Sequence, residues 1–302
     1  MSTDRGPVVH QRLLIRKLIE LRHECGLTQE QVGKALDWSH AKVMRYEGGV
    51  HVLSQSLLDA LLVLYGVAGT SLGRELRALG TAARKSAWWH PYRNLMKAAY
   101  RTYIGLEAGA DTIRQTATTV VPGLLQTRSY SRCVTATYAK PLEVEPLVDV
   151  RMRRQSTLAN RDPRPRQMYL LSEAVLSMHV GVSVDPDIMP GQLHHLVDMA
   201  GRPEVQIRVI PAGHGEHAAM IGGSFILLGF DDELGLDDVF YAEMRNMCSL
   251  TDKKSEMGKY LRDFQEAWEE KALPEDESVQ LIKQHANSMK SQRQPPVHAR
   301  HP

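Results

Sequence analysis

The stretch from Thr28 to Arg45, TQEQVGKALDWSHAKVMR, constrains this chain more than any other part of it. It reads as two short helices on either side of a tight turn. Thr28 stands where a helix begins and Gln31 follows three residues later, a T-x-x-Q pairing that satisfies helix-start amides reciprocally. Val32, Ala35 and Leu36 recur at helical spacing and place one apolar stripe against a core. Gly33 sits within that helix, where glycine costs about 1 kcal/mol. It is expected where a second helix crosses too closely for a side chain. Asp37-Trp38-Ser39 interrupts the pattern, and Ser39 then caps a second helix from His40 to Tyr46. Val43 and Tyr46 face inward there, while His40, Lys42 and Arg45 face outward. A short helix with a cationic, hydrogen-bonding face suits insertion into a DNA major groove.

The flanks extend the pattern. His10 to Cys25 carries Leu14, Leu18 and Leu21 on one stripe, and Gly26 stops it before Leu27. Glu47-Gly48-Gly49 ends the third helix, and Ser54 to Tyr65 supplies another apolar helix to close a bundle. With G-L-T-Q at 26–29 and R-Y-E-x-G at 45–49, the region resembles the Xre and lambda-repressor class of helix-turn-helix proteins. The resemblance implies that Gln29 binds a backbone phosphate. It implies that Ser39, His40, Ala41, Lys42 and Arg45 face base edges and flanking phosphates. It also implies that Arg22 and Glu47 pair to tie the first helix to the end of the third. Arg45 has the fork to read guanine O6 and N7 together, worth about 1–3 kcal/mol of discrimination. Lys42 as a phosphate contact adds affinity without sequence information. The family usually places Gly in the turn where this chain has Asp37, a residue that tolerates left-handed backbone better than most.

Composition is permissive. A chain of 302 residues favours two domains, and 43 % hydrophobic content is ample for packed cores. A net charge of +2 gives only modest steering toward nucleic acid. Its distribution is more informative: Arg74, Arg77, Arg84, Lys85, Arg93, Lys97 and Arg101 lie in a stretch whose one acid is Glu75. A second basic run is Arg151, Arg153, Arg154, Arg161, Arg164 and Arg166, read as a solvated face or as structural pairs. Against these, residues 231–243 hold six carboxylates and no Lys or Arg. Cys25, Cys133 and Cys248 are scattered and form no C-x-x-C spacing, which favours reduced thiols over a disulfide framework. Residues 57–69 are too short an apolar run to span a bilayer, and residues 1–7 lack an apolar signal core, so a cytoplasmic protein without membrane contact is expected.

Beyond residue 69 the character changes. Trp88-Trp89-His90-Pro91-Tyr92 reads as a packing anchor, with a ligand or partner patch as the alternative, and Asn94 to Leu106 reads as a helix. A β-rich segment from Thr112 stops at Pro122-Gly123, and helices are expected over Leu124–Ala136 and Val144–Ala159. Met168 to Leu176 is apolar and fits helix or strand, and Gln192–Ala200 reads as a helix. Val205–Ile210, Ser224–Phe230 and Val239–Met244 predict strands, and Lys254–Lys271 and Glu275–Asn287 predict terminal helices. The fold class is therefore α+β overall, with an N-terminal all-α bundle and a larger α+β domain. The expected divisions are residues 9–68 for the helix-turn-helix domain, 69–87 for a basic linker or helix, 88–287 for a regulatory or interaction domain, and 288–302 for a disordered tail.

V-P-G-L-L-Q-T at 121–127 with Tyr130, R-x-x-R-Q at 151–155 and S-E-A-V-L at 172–176 carry a second resemblance. So do Q-L-x-x-L at 192–196, V-I-P-A at 209–212, His217 with G-G-S-F at 222–225, and Tyr241-x-Glu243. Together they resemble the C-terminal domain of WhiJ-like, antitoxin-like transcriptional regulators of actinobacteria. That resemblance implies a regulatory role in developmental or antibiotic control and a small acidic partner protein encoded nearby. From the residues themselves, Pro122-Gly123 is a strand-to-helix turn whose leucines are core, with Gln126 and Tyr130 as the alternative lining of a partner or effector pocket. Arg151, Arg154 and Glu173 form either an internal charge network or a receiver for an acidic partner.

Metal and catalytic chemistry find little footing. His214-Gly215-Glu216-His217 spaces its histidines at i and i+3 in a glycine-rich loop, and the adjacent His194 and His195 point about 100° apart on a helix, so neither pair matches a zinc hydrolase. No G-x-S-x-G, P-loop or post-strand G-x-G-x-x-G occurs. No metal, cofactor or catalytic residue is expected. The expectation is a dimeric regulator of double-stranded DNA. The alternative is an interaction module that sequesters a small acidic partner and binds DNA for its own control.

Overall fold

A computed structural model describes residues 5–216, 222–244 and 247–291. Its backbone clusters into two compact units. The first comprises residues 1–93, 100–110 and 230–236, and the second residues 94–99, 111–229 and 237–302.

The first unit is built from α1 (Pro7–Glu24), α2 (Gln29–Leu36), α3 (His40–Glu47), α4 (Gln55–Leu64) and α5 (Ser71–Ala83). Leu14, Leu18 and Leu21 of α1, Val32, Val43 and Leu58, Leu61 and Leu62 form its core, together with Leu76 of α5. The 69–87 stretch, expected as a basic linker or helix, is largely a helix and packs into the bundle. Leu72, Leu76 and Leu79 recur on one face and pack into the core, while Arg77 ties α5 to α4 through Asp59 at 2.7 Å. The unit also extends past the boundary expected at residue 88. Trp89 is buried and meets Trp88 edge-on at 5.3 Å. The helix α6 (Ala98–Glu107) supplies Gly105, where a Cβ would lie 2.4 Å from Val8. The absent side chain lets α6 lie directly on α1, a long-range fit that local periodicity does not announce.

The second unit is a mixed sheet in the order β3-β2-β1-β4-β5-β6. Its strands are β1 (Thr112–Ala117), β2 (Arg166–Ser172), β3 (Val205–Ile210), β4 (Ile226–Gly229), β5 (Val239–Glu243) and β6 (Cys248–Thr251). β1, β2 and β3 run parallel, and β4, β5 and β6 continue antiparallel. The parallel strands require crossovers. These are α7 (Arg128–Ala136) and α8 (Val144–Ala159) between β1 and β2, then α9 (Glu173–Ser177) and α10 (Ile188–Ala200) between β2 and β3. Met168, Leu170, Leu227 and Phe240 pack against Met257, Phe264 and Trp268 of the segment containing α11 (Lys254–Glu266). The terminal α12 (Glu275–Ser291) packs on α10 and β3.

Three expectations change. The helix expected from Leu124 begins at Arg128, because Thr127 caps it by accepting from the Tyr130 N–H at 3.3 Å. Met168–Leu176 divides into the end of β2 and α9, where the Ser172 hydroxyl accepts from Ala174 N. The tail expected from residue 288 is helical through Ser291, and its remainder lies outside the described residues.

Candidate nucleic-acid interface

The α2–α3 pair is set by its ends. Gln31 N donates to Thr28 Oγ1 at 3.2 Å and Thr28 N donates to Gln31 Oε1 at 2.8 Å, closing the reciprocal cap. Asp37 adopts φ 54° and ψ 44°, the left-handed conformation that reverses the chain. Trp38 N then donates to the Gly33 carbonyl at 2.8 Å. A Cβ on Gly33 would stand 2.8 Å from the Trp38 carbonyl oxygen. The glycine therefore accommodates the returning turn, not a crossing helix. Ser39 starts α3 by accepting from Lys42 N at 3.2 Å, so its hydroxyl is engaged as a cap.

One carboxylate fixes three helices. Arg22 of α1 donates through Nε and Nη2 to Glu47 of α3 at 2.7 and 3.0 Å. Its Nη1 donates to the Leu27 carbonyl at 2.9 Å. Gln29, the first residue of α2, adds Nε2 to Glu47 Oε2 at 2.8 Å. The Arg22 and Glu47 side chains are only 9 % and 14 % exposed, so this bidentate pair is weakly screened. Burial, with the Glu47 charge adding to it, pushes the Tyr65 phenol up to about 12, which keeps it protonated beside the clamp. Gln29 was expected to face a phosphate; in the structure its amide is given to Glu47. Arg22, His23, Thr28, Gln29, Glu30 and His40 line an open groove at the start of α2.

The outward stripe of α3 is His40, Ala41, Met44 and Arg45, with Gly48 beyond the last turn. Arg45 Nε donates to the Ala41 carbonyl at 3.2 Å, which lays the side chain along the helix. Lys42 departs from the expected stripe: it is half-buried, with its ammonium 4.3 Å from the Trp38 ring centroid. Trp38 in turn lies 5.8 Å from Tyr46. Met44 takes the place on the stripe that sequence reasoning did not assign. Its spacing, three residues after Ala41 and four after His40, was the available signal.

The candidates of the second unit take interior roles. Gln126 and Tyr130 are buried, which favours the reading of this segment as a turn over the alternative of a pocket lining. Gln126 Nε2 donates to the Val121 carbonyl at 2.7 Å, and Tyr130 Oη accepts from Val121 N at 3.1 Å. Gln192 holds the same turn, donating to the Leu125 carbonyl and accepting from Thr127 N, each at 2.7 Å. Arg151 donates to Gln126 Oε1 at 2.9 Å and Ser131 Oγ at 3.2 Å, while Arg154 is buried beside Gly123. Glu173 does not join them. Its carboxylate accepts from Ala212 N at 2.8 Å and meets His285 of α12 at 2.9 Å, because it opens α9 at the carboxyl end of β2. V-P-G-L-L-Q-T is therefore a turn held by buried amides. His217 lies outside the described residues. Several residues of the basic runs are engaged within the chain, with Arg84 bound to the Leu53 carbonyl at 3.3 Å, Arg161 paired with Asp111 at 2.7 Å and Arg164 with Glu204 at 2.9 Å. Among the described residues no helix is long and apolar enough to cross a membrane.

Comparison with known proteins adds two matches. A family model described as a domain of unknown function, DUF5753, covers residues 100–284. A second, described as a helix-turn-helix domain, covers residues 14–79 and so reaches into α5. No curated protein and no solved structure matches.

Proposed function

We propose that this chain, which belongs to the DUF5753 family and carries a helix-turn-helix domain, is a sequence-specific transcription regulator. The observation that carries the reading is the Glu47 clamp. By drawing the one carboxylate of α3 onto Arg22 and Gln29, it leaves an outward face of His40, Ala41, Met44 and Arg45 that presents no acid to DNA. Arg45 reads guanine in the major groove, and His40 with the start of α2 receives a flanking phosphate, where helix-end amides favour an anion. Gln29 acts first as the brace of that helix end, and reaches a phosphate on exchanging its bond to Glu47.

The protein works as a homodimer, with two bundles one helical turn apart on a palindrome, about 34 Å centre to centre. The second unit dimerises or holds a small acidic partner, in the manner of WhiJ-like regulators. The exposed apolar side chains of Leu142 and Val184 support an interaction surface there. Selection of duplexes from a random library by the full-length chain tests the reading. A palindromic motif that Arg45→Ala relaxes at a guanine supports it, and failure to enrich any motif counts against it. Purification from native cells tests the partner: a stoichiometric small acidic protein is expected, and a lone homodimer contradicts that part.

A further inference from the structure

Met44 is 51 % exposed at the middle of α3, although the neighbouring Val43 is 3 % exposed within the core. α3 therefore already has its anchor, and Met44 contributes little to the packing of the bundle. Its neighbours along the outward stripe are His40 and Ala41, one turn before it, and Gly48, four residues after it, which carries no side chain. The flexible thioether therefore has no α3 side chain beside it at the Gly48 position. The charged neighbours are one-sided: Arg45 lies beside it, and Glu47 is withdrawn to Arg22 and Gln29. Lys42 is drawn aside, with its ammonium over the Trp38 ring.

In the major groove, the apolar group that a base pair presents is the C5-methyl of thymine. We propose that Met44 is a specificity-determining residue that packs its thioether against a thymine methyl, next to the guanine read by Arg45. The inference rests on the reading of α3 as the DNA-reading helix and adds a preference that hydrogen bonding alone does not supply. The thioether has three rotatable bonds and adapts to a methyl at either of two adjacent steps. Removing one buried methyl corresponds to about four-fold in affinity.

The test uses the full-length chain and its Met44→Ala variant on the motif that the wild type selects. Each thymine of the motif is replaced in turn by uracil, which removes the C5-methyl and leaves every hydrogen-bonding group in place. At one thymine beside the Arg45-dependent guanine, wild-type binding should weaken about four-fold. In Met44→Ala the thymine-to-uracil ratio there should fall to near one, while the guanine requirement persists. Indifference of the wild type to uracil at every position overturns the inference, as does an unchanged ratio in the variant. In both cases the motif and its Arg45 dependence would survive, so the failure would belong to Met44 alone. Enrichment of no motif would remove the DNA-reading role of α3 and this inference with it.

Discussion

Asp37 carries the left-handed residue of the α2–α3 turn with a Cβ in place, at φ 54°. Short polar side chains tolerate that conformation, but for L-residues it costs roughly 1–2 kcal/mol. Asp37→Gly should leave stability unchanged or raise it. Asp37→Val should lower it by about 1–2 kcal/mol. Denaturant unfolding followed through Trp38 fluorescence checks both, and a valine variant as stable as the wild type would contradict the turn geometry. Glu47 is the second residue on which much rests. Glu47→Ala leaves the Arg22 guanidinium largely buried without its carboxylate and releases Gln29, a loss on the order of 3 kcal/mol. Amide exchange should then accelerate in both α2 and α3. Exchange confined to the last turn of α3 would show that the clamp does not bridge the helices. The Arg22–Glu47 pairing came from family resemblance rather than periodicity, since the two residues are distant in sequence. Lys42 departs from the outward stripe for a local reason. Helical spacing places it near that stripe, but Trp38, four residues before it, attracts its ammonium over the ring.

At the scale of elements, two mechanisms decide what was legible. α8 over Val144–Ala159 and β3 over Val205–Ile210 coincide with the expected spans, β3 because its alternation of apolar and polar residues is matched by its burial. β6, Cys248–Thr251, was not anticipated: as an edge strand with half-buried and exposed residues, it has no apolar alternation to announce it. α5 was visible as a helix but not as part of the bundle, since basic Arg74, Arg77 and Arg84 masked the Leu72–Leu76–Leu79 stripe. The docking of α12 through Glu173 and His285 was equally hidden, being a side-chain pair across a long stretch of sequence. It brings a pH dependence. The Ala212 N–H foremost, and then His285, hold the Glu173 carboxyl below its ordinary value of 4.5. A depressed folded value means that the contribution is full above the ordinary value and lost as pH falls through the folded one. Protection of α12 amides should therefore decline on acidification below about pH 4.5 more steeply in the wild type than in Glu173→Gln. Parallel declines would show that the pair does not hold α12.

The whole molecule is assembled from sequence segments that interleave. Residues 100–110 and 230–236 belong to the first unit, although the parts of the chain on either side of each belong to the second. Composition and periodicity place boundaries along the chain, so they cannot find such returns. What they do find is the helix-turn-helix pair, whose caps, turn and spacing are all local. The same locality explains why the outward face of α3 was largely legible, with Met44 overlooked and Lys42 set back from it, whereas the burial of Gln126 and Tyr130 is decided by tertiary packing. The central claim is that the outward face of α3 enters the major groove. Methylation interference on the selected duplex addresses it directly, because guanine N7 lies in the major groove and adenine N3 in the minor groove. The account predicts that N7 methylation blocks wild-type binding at one guanine per half-site, and that Arg45→Ala loses this sensitivity while still retaining the duplex at low salt. Interference confined to adenine N3, or an unchanged guanine pattern in Arg45→Ala, would contradict it.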